Sequence, residues 1–321
     1  MSSTRTVTEA APGTSPSRLA RAAGRLPSAP PRWVRPLLLA NLVAEVGIVV
    51  TGGIVRLTGS GLGCSTWPEC QPGSFTPVRH AASGYHELVE FGNRLLTYVV
   101  VILAVATLWA VLTHWPARRR LHLAAIGVLA GIPAQAVLGG ISVLTGLNPW
   151  TVMGHFLLSM VLVAFSTVVV RGARDSESGP GELVVHPLAR TLAFVTSALG
   201  AVVLVLGTVV TGSGPHSGDA ERPARTGFDP QAVSWLHADA VMLFCGLVVA
   251  TLVAVRIAEH TEQASRAWTM VLVVTLAQGV VGYVQYFTRL PELLVLVHML
   301  GASLLVVALT FGVLSTRRQP V

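Results

Sequence analysis

Three histidines, an asparagine and two glutamines carry the first chemical signal in this chain. Gln135 in AQAVLGG and Gln278 in AQGVVGY lie 143 residues apart, and His155 in GHFLLSMVLV and His298 in VHMLGASLLV are separated by the same 143. All four sit in apolar sequence, so the first half of the chain reads as duplicated in the second. His237 in SWLHADAV has Asn93 in EFGNRLLT as its counterpart, 144 residues earlier. Histidines at repeated positions in an apolar bundle point to a metal, above all heme iron, because imidazole is a common axial ligand and ionisable groups inside a membrane usually serve function. A hydrogen bond between helices is the plainer reading of any one of them. One complete histidine pair and one altered pair predict two sites with different jobs.

The elements that must position these residues are membrane helices. The chain has 321 residues, 52% hydrophobic and 12% charged, and its mean hydropathy is +0.65. That composition excludes a soluble domain and implies an all-α polytopic membrane protein. Eight apolar segments suffice to span a bilayer, at roughly 36–56, 87–113, 121–143, 150–170, 190–211, 233–255, 267–287 and 292–314. Short turns holding Asn148–Pro149 and Arg289–Pro291 break the helices between spans three and four and spans seven and eight.

All 22 basic residues are arginine, and the net charge is +7. They cluster at the ends of apolar runs, which marks topology and argues against nucleic-acid binding. Sixteen fall on the side of the two termini and five on the other: Arg56, Arg79, Arg222, Arg225 and Arg289. The positive-inside rule then makes both termini cytoplasmic. Residues 1–35 read as a disordered cytoplasmic tail with no signal-peptide core. Residues 36–171 and 190–315 read as two four-helix halves, joined by a cytoplasmic linker at 172–189 and ended by a tail at 316–321. Four spans per half give both halves one orientation, related by an axis along the membrane normal.

Even-numbered spans start on the outer side, so His155, His237 and His298 share one depth near the outer face. His237 and His298 are expected to hold one iron from both sides, a closed low-spin heme that passes electrons without an open position. The first-half pocket combines His155 with the region of Asn93. Asn93 is a poor iron ligand, and His86, two helical turns earlier on the same face, is the alternative. Glu90 and Arg94 lie inside span two at i, i+4 spacing. They form either a structural ion pair or, through Glu90, a group that moves protons or stabilises charge beside the iron. Arg94 or the outer Arg56 is expected to meet a heme propionate. Glu45 in span one has either a structural or a proton-path role.

Cys64 and Cys70 share one outer loop, where a disulfide is expected in an oxidising compartment, either as a staple or as a thiol-exchange site. Cys245 is expected to be a small core residue. The Gly-rich loop around His216 is a candidate cap on the heme edge. His80, His114, His122, His186 and His260 lie in loops or at span ends.

The chain resembles the heme A synthases along nearly its whole length after the tail. The resemblance rests on RLTGSGLGC…WPEC in loop one, HELVEFGNR at span two, TGSGPHSGD after span five, and the histidines of spans four, six and eight. It implies an enzyme of the bacterial cell membrane that oxidises a methyl group of heme O to the formyl group of heme A, by successive hydroxylation and loss of water. It implies a heme b on His237 and His298, a substrate heme on His155, and a catalytic acid at Glu90. The family's Glu-x-x-His-Arg pattern reads Glu90-Phe91-Gly92-Asn93-Arg94 here. The missing histidine leaves two candidates: a heme on His155 alone, or ligation by His86. The cysteine pair resembles a disulfide of some bacterial members. A heme O synthase and cytochrome oxidase assembly factors are the implied partners, with homo-oligomerisation left open. No flavin or nicotinamide fingerprint marks an electron donor. Two other readings compete: a quinol-linked cytochrome b, against which Asn93 and Glu90 count, and a transporter, which leaves the level histidines unexplained.

Overall fold

The computed structural model describes residues 21, 24, 27–78, 84–174, 182–219, 221, 223–258 and 261–318. Eight long helices dominate: α1 (Pro31–Leu57), α2 (His86–His114), α3 (Arg119–Leu144), α4 (Pro149–Gly172), α5 (Pro187–Ser213), α6 (Pro230–Ala258), α7 (Glu262–Phe287) and α8 (Glu292–Leu314). They match the expected spans in number and order, and each is long and apolar enough to cross a membrane. The shortest, α8, has 23 residues, which at about 1.5 Å per residue exceeds the ~30 Å hydrocarbon thickness. The protein is an all-α, multi-pass membrane protein.

The helices run past the apolar segments by a few residues, because polar first and last turns still hydrogen-bond as helix. α1 begins at Pro31 and not at 36, with proline where the first turn needs no N–H. Ala29 is buried, and Trp109 Nε1 donates to the Pro27 carbonyl at 3.1 Å, so the end of the expected tail packs on α2. Most of that tail, with Arg79, His80, Arg222 and His260, lies outside the described residues. α5 starts at Pro187, its N-cap His186 accepting from the Leu188 N–H at 3.2 Å. The expected linker and C-terminal tail meet in a two-stranded antiparallel ribbon, β1 (Glu182–Leu183) with β2 (Arg317–Arg318). Strands of two residues leave no alternation to read in a sequence.

Helices α1, α2, α3 and α4 pack as a ring of neighbours, and α5, α6, α7 and α8 do the same. The halves meet through α4 on α8, α1 on α8 and α4 on α5. One apolar core includes Leu38, Val111, Ala125 and Val163, a second includes Ala193, Phe244, Val248 and Trp268, and a smaller third joins Val100, Ala104, Val128 and Ile132. Lipid tails are as apolar as leucine, so burial alone does not hold such helices together; close approach does. Gly131 faces Leu162 between α3 and α4, and Gly301 faces Gln278 between α7 and α8, each leaving no room for a Cβ.

The two tight turns repeat in detail. Gly146 and Leu147 have φ of 62° and 57°, and Arg289 and Leu290 have φ of 63° and 59°. The Leu147 N–H donates to the Ser142 carbonyl, and the Leu290 N–H to the Gln285 carbonyl, both at 2.7 Å. Arginine occupies at 289 the left-handed conformation that glycine occupies at 146, a cost of about 1–2 kcal/mol. Arg289→Gly is therefore expected to stabilise the protein by about 0.5–1 kcal/mol after the unfolded-state entropy of glycine is counted. Thermal unfolding in detergent checks this, and a lowered midpoint would show that the arginine side chain matters more than its backbone.

Candidate functional site

His155 and His298 are the seventh residues of α4 and α8, and Asn93 and His237 are the eighth residues of α2 and α6. These helices all start at the end that carries loop one, so the four side chains lie at one level, about 9–10 Å down. Each imidazole rests on a glycine of the preceding helix. A Cβ at Gly139 would stand 3.3 Å from His155 Cε1, one at Gly207 3.2 Å from His237 Cε1, and one at Gly282 3.5 Å from His298 Cε1. The repeated glutamines fix this level: Gln135 Nε2 donates to the His155 carbonyl at 3.0 Å and Gln278 Nε2 to the His298 carbonyl at 2.9 Å.

The backbone of Gln135 faces the His155 ring and that of Val203 the His237 ring, without closing a hydrogen bond. Nδ1 of all three histidines is sealed from solvent and unpartnered. A nitrogen sealed in this way cannot take a ligand, so Nε2 is the ring atom left to engage a bound group. His237 on α6 and His298 on α8 stand at the same level of the second half. Among the described residues no three His, Cys, Asp or Glu side chains converge. Paired imidazoles without a third ligand fit a macrocycle that brings its own four nitrogens and needs only axial ligands. They do not suit a zinc ion, which takes three or four from the protein.

The first half departs from this pattern at one place. Asn93 Oδ1 accepts from Thr51 Oγ1 at 2.7 Å. Gly47 has no atom within 4 Å of where its Cβ would stand. Sequence reasoning missed both Thr51 and Gly47. The signal was there: GIVVTGG at 47–53 matches GTVVTGS at 207–213, which pairs Gly47 with Gly207 and Thr51 with Thr211.

Glu90 is buried and fully occupied. Its Oε2 accepts from the Cys64 N–H at 2.7 Å, and its Oε1 accepts from Arg94 Nη2 at 2.6 Å and Nε at 3.2 Å. Arg94 also donates to the carbonyls of Thr66 at 3.1 Å and Glu69 at 3.3 Å. Cys64 and Cys70 form a disulfide, so the ion pair holds both ends of one small covalent loop. Gly63 leaves no room for a Cβ against the His86 carbonyl, which seats this loop on the start of α2. The His86 ring is taken up there as well. Its Nδ1 lies 2.9 Å from Ser60 Oγ and its ring stacks on Tyr85 at 4.4 Å.

Arg56 and His216 come together, but with each other. Arg56 Nε donates to the His216 carbonyl at 2.6 Å and Nη2 to the Thr211 carbonyl at 3.0 Å. His216 Nε2 lies 3.0 Å from the Leu290 carbonyl, and the Gly61 N–H donates to the Gly218 carbonyl at 3.0 Å. These bonds latch the two halves at the loop-one end. Arg56 and Arg94, the two arginines expected to offer one partner to a heme propionate, are engaged here by backbone carbonyls and, for Arg94, by Glu90 as well. Glu45 is buried beside Asn41, which donates to Ser166 Oγ at 3.1 Å. Cys245 is free and half-buried.

A family model described as cytochrome oxidase assembly protein matches residues 35–310. A heme A synthase of Geobacillus thermodenitrificans is 32% identical over 129 residues, which are 40% of this chain and 39% of that protein. A heme A synthase of Bacillus pumilus is 27% identical across 83% of this chain and 88% of its own, and one of Symbiobacterium thermophilum is 27% identical across 81% and 89%. With the family match running through all eight helices, this chain belongs to the heme A synthase family of cytochrome oxidase assembly proteins.

Proposed function

We propose that this protein makes heme A from heme O, oxidising one methyl group to a formyl group by successive hydroxylation and loss of water. The observation that carries this reading is the pair of level, glycine-seated imidazoles, His237 and His298, in a chain of this family. They hold a resident heme b between α6 and α8. When bound, a heme closed by two imidazoles passes single electrons and offers no position to a substrate. His155 receives heme O in the first half, and Gln135 keeps that histidine at its level through its carbonyl. Glu90 lies one turn from Asn93 and holds or moves a proton at its carboxylate beside the substrate. The Cys64–Cys70 loop covers Glu90 and keeps water from it.

The excess of arginines at the terminal end sets that end in the cytoplasm and both sites near the outer face of a bacterial cell membrane. The two halves are then copies related by an axis along the membrane normal. A heme O synthase supplies the substrate, cytochrome oxidase assembly consumes the product, and an electron donor acts from outside the chain. A quinol-linked cytochrome b is not favoured, because family membership and Asn93 both speak against two closed electron-carrying sites.

Co-expression with a heme O synthase, followed by chromatography of the extracted hemes, tests the activity. Heme A is expected from the wild type, and heme O with little heme A from His155→Ala. Heme b alone, with heme O untouched by the wild type, would overturn the reading.

A further inference from the structure

The two halves place different side chains at one equivalent position, and the space around that position differs with them. In the second half the His237 imidazole fills the room over Gly207, 3.2 Å from the added Cβ. In the first half the matching Gly47 faces no atom within 4 Å. The hydroxyls differ as well. Thr211 Oγ1 bonds back to its own helix at the Gly207 carbonyl, at 2.9 Å. Thr51 Oγ1 reaches across to Asn93 Oδ1 at 2.7 Å, shorter than its 3.1 Å approach to the Ile48 carbonyl. A threonine hydroxyl has one proton, and the shorter contact takes it. With Oδ1 accepting, the Asn93 amide presents Nδ2 as a donor, and that nitrogen has no partner among the described residues.

Among the described residues, neither His86 nor Arg94 takes over the role of the missing imidazole. His86 stands seven residues up α2, about 10 Å along the axis, and its ring is held by Ser60 and Tyr85. Arg94 is engaged by Glu90, Thr66 and Glu69.

We propose that the first half holds its heme from one side only, on His155, and that the space over Gly47 is a binding site for a small exogenous ligand of the iron. The site suits a small neutral molecule with a lone pair: a diatomic gas, water or a free azole. Asn93, aimed by Thr51, is its positioning residue, offering an N–H donor where the second half offers a ligand. This rests on the reading that the first half binds heme. It deepens that reading by naming what opposes His155, and it makes the asymmetry of the repeat a division of labour between an accessible iron and a closed one.

The test uses the full-length protein purified in detergent from cells making heme O, with heme content measured first. Carbon monoxide added to the reduced wild type is expected to bind one heme and leave the other unchanged. Free imidazole added to the oxidised wild type is expected to convert a high-spin signal to low-spin. Asn93→His is expected to remove both responses while retaining two hemes, because the room over Gly47 accepts an imidazole as the room over Gly207 does. Gly47→Leu, which fills the space without supplying a ligand, is expected to block imidazole while the heme remains. A wild type with two hemes, both low-spin and inert to carbon monoxide, overturns the proposal and leaves the enzyme reading standing. A wild type with heme in the second half alone overturns the enzyme reading and this proposal with it.

Discussion

Glu90→Ala is expected to reduce heme A formation by about 100-fold or more, the scale of losing a positioned acid or base, with heme O accumulating in its place. It is also expected to weaken the fold locally. Glu90 is 5% exposed and satisfies three N–H donors, one from Cys64 and two from Arg94. Its removal strands the Cys64 N–H and leaves Arg94 with only the carbonyls of Thr66 and Glu69. Breaking a fully buried pair costs about 3–5 kcal/mol. The Arg94 side chain is 23% exposed, so water recovers part of this, and about 2–3 kcal/mol is expected.

Glu90→Gln separates chemistry from architecture. Glutamine keeps the shape and one acceptor for Arg94, but it cannot exchange a proton and it turns a donor toward the Cys64 N–H. It is expected to restore most of the thermal stability and little of the activity. The low-spin spectrum of the second half should be unchanged in both variants, because Glu90 contacts nothing there. Full heme A output from Glu90→Gln would show that the carboxylate only anchors the disulfide loop.

That double role explains what was and was not legible beforehand. Hydropathy and arginine placement reveal eight spans because each span is a local property of about 20 residues. The level of His155, His237 and His298 follows from counting residues from helix starts, and the structure places them at positions seven and eight of their helices. Partners across helices leave no such local trace. The i, i+4 pairing of Glu90 with Arg94 is visible in sequence; their joint grip on Cys64, Thr66 and Glu69 is not, because it depends on how loop one folds back. Arg56 and His216 lie 160 residues apart, and the bond from Arg56 to the His216 carbonyl leaves no trace in sequence because it depends on how the two halves meet. Nothing in the sequence sets Gly207, Gly139 and Gly282 apart from other glycines in apolar helices. Their work as seats for imidazole rings appears only when neighbouring helices are set side by side.

His237→Asn is expected to turn the closed second half into a copy of the first. The ring over Gly207 is lost, and the asparagine finds Thr211 where Asn93 finds Thr51. The low-spin signal of the resident heme should vanish, and the reduced protein should bind carbon monoxide at that heme. His298→Ala is expected to go further. It removes the ring seated on Gly282, the counterpart of the one imidazole the first half retains, and alanine puts no polar group in its place, so heme b should fall to a small fraction of the wild-type content. Electrons would then have no relay to the first half, and heme A formation should fall in both variants while heme O still binds on His155. The contrast with Asn93→His is what gives the pair its force. One substitution closes an accessible iron and the other opens a closed one, and each acts at the same point of the repeat. An unchanged low-spin spectrum in His237→Asn would mean that His237 and His298 do not share an iron, and the division of labour between the halves would fail with it.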